Sequence, residues 1–316
     1  MKTKHLPLLA AGLLVAGNLS ANINIDTVLV GNADNSPDTP FNDPFGAVSY
    51  EYYIGKKEVT NSEYTTFLNS AAKTDTHSLY NTSMANETYG GITRSGSSGN
   101  FIYDTVANRE NNPVNYVSFW DAARFANWLT TGNTETGVYN LGGVTNPTNS
   151  GIIRDDTAWV NNGVAIASDD EWYKAAYHQP AAASGDTDDY WQYPTASNNI
   201  GWDDANYGFN LEEPIAVGSY DAGYYGTLDQ GGNVEEWNDG ISSDGEERGV
   251  MGGHFNSPDS DLEAGAYDSS SPTSETSSMG FRVTSLAAIP EPSFVGGLIG
   301  AVALLMAWRR RDCRTL

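Results

Sequence analysis

Asp229-Gln-Gly-Gly-Asn-Val-Glu-Glu-Trp237 is the stretch whose reading decides the fold. Its paired glycines free the backbone to turn carbonyl groups inward, its acids flank that turn, and Trp237 ends it with a large apolar group suited to a core. Taken alone, it reads as a solvated acidic turn with Trp237 in the core.

Working outward, three segments carry helix-start chemistry. In Thr60-Asn-Ser-Glu63 the Thr hydroxyl can accept from the third helical N–H while Glu63 reaches back, and Tyr64, Phe67, Leu68 and Ala71 then recur at helical spacing. Ser118-Phe-Trp-Asp121 repeats the device ahead of Ala122, Phe125, Ala126 and Leu129, and Ser168-Asp-Asp-Glu171 does so ahead of Trp172, Ala175 and Ala176. The aromatic stripes read as core packing. Short strand signals lie at Tyr50–Ile54, Gly163–Ile166, Ile215–Val217 and Gly280–Val283, separated by turn residues. Few helices, scattered strands and abundant Gly, Asn and Ser predict an α+β domain rich in irregular backbone. Residues 256–278 read as a long surface loop.

Both ends carry export signals. Lys2 and Lys4, an apolar run from Leu6 to Ala16 and Leu19-Ser-Ala21 follow the order of a secretory signal peptide, so residues 1–21 are expected to be removed. Residues 22–48 read as a polar lead-in, 49–285 as the domain and 286–316 as a tail. That tail runs Pro290-Glu291-Pro292, an apolar segment over 294–308, then Arg309-Arg310-Arg311. Fifteen apolar residues are fewer than the roughly 20 that usually span a bilayer, but glycines, a terminal Trp and a basic cluster suit a membrane stop.

The whole chain has 316 residues and a formal charge of -24, and its 36 aromatic residues can furnish a sizeable core. Residues 22–290 hold ten basic against 38 acidic side chains, so the exported part is more acidic than the whole. This balance argues against nucleic acid and anionic membrane surfaces as partners, which need clustered Lys and Arg. The single cysteine, Cys313, lies beyond the arginines, leaving no thiol in the exported part and excluding a disulfide framework.

Five segments in order resemble the formylglycine-generating enzyme, or sulfatase-modifying-factor, domain family: Glu58-Val-Thr-Asn61, Asn112-Pro-Val-Asn-Tyr-Val-Ser-Phe-Trp120, Ser168-Asp-Asp-Glu-Trp172, Gly231–Trp237 and Gly280-Phe-Arg282. The resemblance runs from about Tyr50 to Val283 and implies a C-type-lectin-like fold. The tail resembles the PEP-CTERM sorting signal of exopolysaccharide-producing Gram-negative bacteria, which implies processing by an exosortase-type protease. An ordinary C-terminal anchor is the alternative. The expected route is export through the inner membrane, anchoring through the tail, and release to the cell surface or exterior.

Activating family members use two copper-binding cysteines after a Gly-Gly-Ser motif. Here the stretch is Gly252-Gly-His-Phe-Asn-Ser257-Pro-Asp-Ser-Asp-Leu262, and Ser257 and Leu262 fall where the cysteines would stand. Cu(I) needs soft thiolate ligands, which neither side chain supplies, so copper is not expected. An iron-dependent branch uses His and carboxylates largely from another domain, which is not expected here, and His77, His178 and His254 are widely separated.

The resemblance also implies structural calcium, held by the carboxylates of Asp229 and Glu236 with the carbonyls of Gly232 and Val234, and a second site beginning at Asn206 and the carbonyl of Tyr207. Hard oxygen ligands suit Ca²⁺. Two function classes follow. One is a non-catalytic surface or matrix domain binding a polysaccharide, peptide or envelope protein, with Trp159, Trp191 or Trp202 available to stack on sugars; a purely assembly-supporting role is a variant of it. The other is a divergent, oxidoreductase-type enzyme using a non-cysteine site.

Overall fold

The computed structural model describes residues 23–39, 44–180 and 189–289. The signal segment 1–21, the apolar run 294–308 and the motif residues Pro290 to Pro292 and Arg309 to Arg311 lie outside them. Among the described residues no helix is long and apolar enough to cross a membrane.

Among the described residues four α-helices form: α1 (Asn61–Ala71), α2 (Phe119–Thr131), α3 (Asp156–Val160) and α4 (Asp169–Tyr177). All three capping boxes close. Thr60 accepts from the Glu63 amide at 3.3 Å while Glu63 accepts from the Thr60 amide at 2.7 Å, and Ser118 with Asp121 and Ser168 with Glu171 do the same. Gly132, at φ 76°, ends α2 in the left-handed conformation that a Cβ would strain. The short α3 is capped by Asp155 alone.

The ten strands of the described residues are β1 (Thr27–Val30), β2 (Tyr52–Gly55), β3 (Ile92–Ser95), β4 (Ile102–Thr105), β5 (Val164–Ile166), β6 (Glu235–Ile241), β7 (Arg248–Met251), β8 (Asp268–Ser270), β9 (Met279–Phe281) and β10 (Val283–Ser285). One antiparallel sheet has the order β1-β2-β10-β5, a second has the order β8-β7-β6-β9, and β3 with β4 makes a hairpin. In the second sheet β6 and β9 run parallel. Strand β1 arises from the stretch read as a lead-in, and β8 from the stretch read as a surface loop. Ile215–Val217 is not a strand: the Ile215 amide donates to Asn233 Oδ1 at 2.9 Å and the Val217 amide to the Asn111 carbonyl at 2.9 Å, so these bonds go to a side chain and a loop.

The stripes of α1 and α2 meet in an aromatic core. Phe67 lies 5.3 Å from Tyr64 and 5.4 Å from Phe125 between ring centroids, and Phe125 lies 5.4 Å from Phe281 of β9. Edge contacts of this kind stabilise beyond the area they bury.

Buried ion pairs join the layers. Glu171, the capping residue of α4, takes two bonds from Arg154 at 3.0 Å each, and Asp239 of β6 lies 2.7 Å from Arg248 and 3.4 Å from Arg154. Glu171 and Asp239 are thus matched inside by arginines.

Candidate functional site

The decisive turn lies between the two sheets. Glu236 is fully buried; Arg282, from the break between β9 and β10, donates to both its carboxylate oxygens at 2.6 Å, and Trp172 Nε1 donates at 2.8 Å. The same guanidinium donates to the carbonyls of Gly55 and Leu228.

Asp229, at φ 56°, accepts from the Gly218 amide, and burial pushes its carboxyl up to about 6. Glu58 is buried beside it, with one oxygen bonded to Asn233 at 2.9 Å and the other without a partner. Burial first, and then the neighbouring Asp229, hold Glu58 well above the usual carboxylate range. Asn206 pairs with Gly232 as a parallel bridge and keeps its own Oδ1 buried and unpartnered, while Tyr207 beside it is buried. Residues of the two calcium sites implied by resemblance thus stand next to each other.

The donor set suits calcium in part. Asn206 Oδ1 lacks a partner and Asp229 carries an uncomfortable buried charge, whereas the Glu236 charge is already matched by Arg282. Among the described residues no three His, Cys, Asp or Glu side chains gather as a metal-binding group.

A cleft of about 370 Å³ opens at one end of the second sheet. Glu235, the neighbour of Glu236, faces it because successive side chains of a strand point to opposite sides. Asp261, Asp268, His254, Ser257 and Tyr267 also line it. Burial, aided by Asp268 and Asp261 and opposed by a bond from Ser278, pushes Glu235 up to about 7. Burial lowers His254, against the pull of Asp261. His254 Nδ1 accepts from the Asn256 amide at 3.2 Å, which places the proton of the neutral ring on Nε2.

Two glycines shape the floor. A Cβ on Gly252 would meet the Gln230 carbonyl at 2.5 Å, and one on Gly253, at φ 62°, would meet Leu262 Cδ1 at 2.8 Å and Ser257 Cβ at 3.2 Å. Ser257 and Leu262 therefore border the same small space. The Ser257 hydroxyl accepts from the His254 amide at 3.2 Å, and Leu262 is fully buried against Tyr193, Ala205 and Tyr207.

The three tryptophans considered for sugar stacking separate cleanly. Trp159 is buried under Arg154, with the guanidinium 4.3 Å from its ring, so it serves the core. Trp191 is partly buried and donates to Gln179 at 2.7 Å. Trp202 is 60% exposed and Phe209 62% exposed, on a loop whose Gly208 and Phe209 amides donate to the carbonyls of Ser257 and Phe255. This loop borders the cleft. Nothing local in the sequence marks Phe209, Asp261 or Asp268, and Glu235 stands out there only as half of an acidic doublet.

The family model for the sulfatase-modifying factor enzyme 1-like domain matches residues 24–286, and the chain belongs to that family. Three solved structures share the fold. A protein described as CarF is 22% identical with a TM-score of 0.58, covering 83% of this chain and 98% of its own. Treponema denticola variable protein 1 is 21% identical with a TM-score of 0.57, covering 83% and 95%. PvdO from Pseudomonas aeruginosa is 16% identical with a TM-score of 0.53, covering 86% and 100%. No curated protein sequence matches the chain.

Proposed function

We propose that this chain is an exported surface or matrix protein whose domain binds a polysaccharide or envelope partner and does not oxidise cysteine. The observation carrying this reading is the pair Ser257 and Leu262, which border Gly253 where the resemblance places two thiols, in a chain whose only cysteine is Cys313. A hydroxyl and an aliphatic group offer Cu(I) no soft ligand. The terminal segments direct export and, through an exosortase-type protease, release from the inner membrane.

Calcium belongs to the same proposal as a structural ion. Asp229 would supply a side-chain oxygen and Gly232 and Val234 carbonyls, with Glu236 joining only by sharing its charge with Arg282, and Asn206 with the Tyr207 carbonyl would begin a second site. Bound there, the ion would neutralise buried carboxylates.

The competing reading is a divergent enzyme of the same cleft, and the observation favouring it is Glu235, poised to exchange a proton near neutrality beside His254. A sulfatase-derived cysteine peptide incubated with the protein, copper and reductant separates the two. Unchanged peptide mass supports binding; formylglycine in the product overturns it.

A further inference from the structure

The two four-stranded sheets of the described residues end on β1 and β5 and on β8 and β9. Three of these edges are closed or charged. On β5 the amides of Val164 and Ile166 donate to the Thr130 and Tyr139 hydroxyls, and Arg154 donates to the Ile166 carbonyl. On β9 the Phe281 carbonyl accepts from the Val59 amide at 2.9 Å. The short β8 carries the exposed Asp268, whose carboxylate takes the Ser269 amide at 2.7 Å. Charges, caps and covering segments of this kind keep an edge from pairing with another chain.

The β1 edge has none of them. Its residues, Thr27-Val-Leu-Val30, are uncharged, and Leu29 is 46% exposed. Thr27 stands opposite Gly55 of β2, and the Lys56 amide donates to the Asp26 carbonyl at 2.8 Å. Backbone groups alternate in an antiparallel pair, so Asp26, Val28 and Val30 bond towards β2 while Thr27, Leu29 and Gly31 turn theirs outward. Among the described residues none of these outward N–H and C=O groups is bonded to another segment.

The side chains along the edge suit a second copy of the same edge. A twofold axis at Leu29 sets Leu29 against its own copy, Thr27 against Gly31 and Asp26 against Asn32, so two apolar groups meet and no acid faces an acid. Gly31 leaves room for its partner. A Cβ there would stand 3.6 Å from Glu51 Oε1, and the facing Thr27 brings a hydroxyl to that carboxylate.

We propose that β1 pairs antiparallel with β1 of a second copy of this chain, centred on Leu29, joining the two sheets edge to edge. The exported part holds ten basic against 38 acidic side chains, so copies repel at long range and the dimer tightens as salt screens that repulsion.

The test is cysteine cross-linking of the full chain in mild detergent, with Cys313→Ser removing the native thiol. Residues that exchange hydrogen bonds across an antiparallel pair have Cα atoms about 5.5 Å apart, inside the range of about 4.4–6.8 Å that a disulfide bridges. Leu29→Cys is therefore expected to link two chains at least about tenfold faster than Ile102→Cys, a similarly exposed site on β4. Leu29→Lys sets two like charges on the axis and is expected to weaken the dimer about tenfold or more in sedimentation, with an unchanged circular dichroism spectrum because the site is half exposed.

Equal cross-linking at the two sites overturns the proposal, as does sedimentation as a monomer at every concentration. A dimer that Leu29→Lys leaves intact also overturns it and assigns association to another surface or to the tail.

Discussion

Replacing Arg282 by Met removes one guanidinium that holds four acceptors: both oxygens of Glu236 and the carbonyls of Gly55 and Leu228. Methionine keeps much of the bulk, so the loss is electrostatic. Glu236 would stay buried with only the Trp172 bond, and two carbonyls from different parts of the chain would lose a donor. Breaking one side of a buried pair in this way costs about 3–5 kcal/mol, or a factor of about a hundred to several thousand in the folding equilibrium. For a domain of this size the melting temperature should fall by about 6–20 °C.

Urea unfolding followed by tryptophan fluorescence measures the loss. The double variant Arg282→Met/Glu236→Leu should recover part of it, because the orphaned charge is then removed as well. A single-variant loss below about 1 kcal/mol, or losses in the double variant that simply add, would refute the claim that this pair clamps the two sheets.

Four further outcomes follow from the geometry. Burial raises Asp229 to about 6, so the folded state binds that proton more tightly than the unfolded chain; stability should fall as pH rises from about 4 to 6, and Asp229→Asn should flatten the slope, seen in melts across that range. Calcium should remove the slope and raise the melting temperature, and an unchanged temperature on adding EDTA to calcium-loaded protein would refute the structural ion. Ser257→Cys/Leu262→Cys should create a Cu(I) site by competition against a chromogenic chelator, whereas no binding would mean that the two positions do not form the cysteine pocket of the family. Gly253→Ala forces a Cβ into a left-handed residue against Leu262, and a loss of about 1–3 kcal/mol is expected by urea unfolding.

Local chemistry was the legible part of the sequence. Thr60, Ser118 and Ser168 each announce a helix because donor and acceptor lie three residues apart, and all three helices form. The α3 helix was missed because Asp155 caps it without a returning acid, so half of the usual signal is absent. Ile215–Val217 looked like a strand from its apolar residues alone, yet its amides are satisfied by Asn233 and Asn111. The functional cleft was harder to read. Glu235-Glu236 looks like one acidic doublet, but strand alternation sends Glu236 to Arg282, 46 residues away, and Glu235 to the cleft. Which acids keep their charge unmatched depends on such distant pairings, and spacing along the chain does not record them.

The sheet order β1-β2-β10-β5 sets a limit on how the chain can acquire its shape. Strand β10 sits between β2 and β5, so residues 283–285 supply the middle of a sheet whose other members come from the first 166 positions. A chain emerging with its N-terminus first holds β1 and β2 as a bare ribbon, with β5 unattached, until almost its whole folded length has arrived. Truncation even a few residues before Ser285 would therefore leave β2 and β5 with open edges in the interior, and the domain should close late and as a unit.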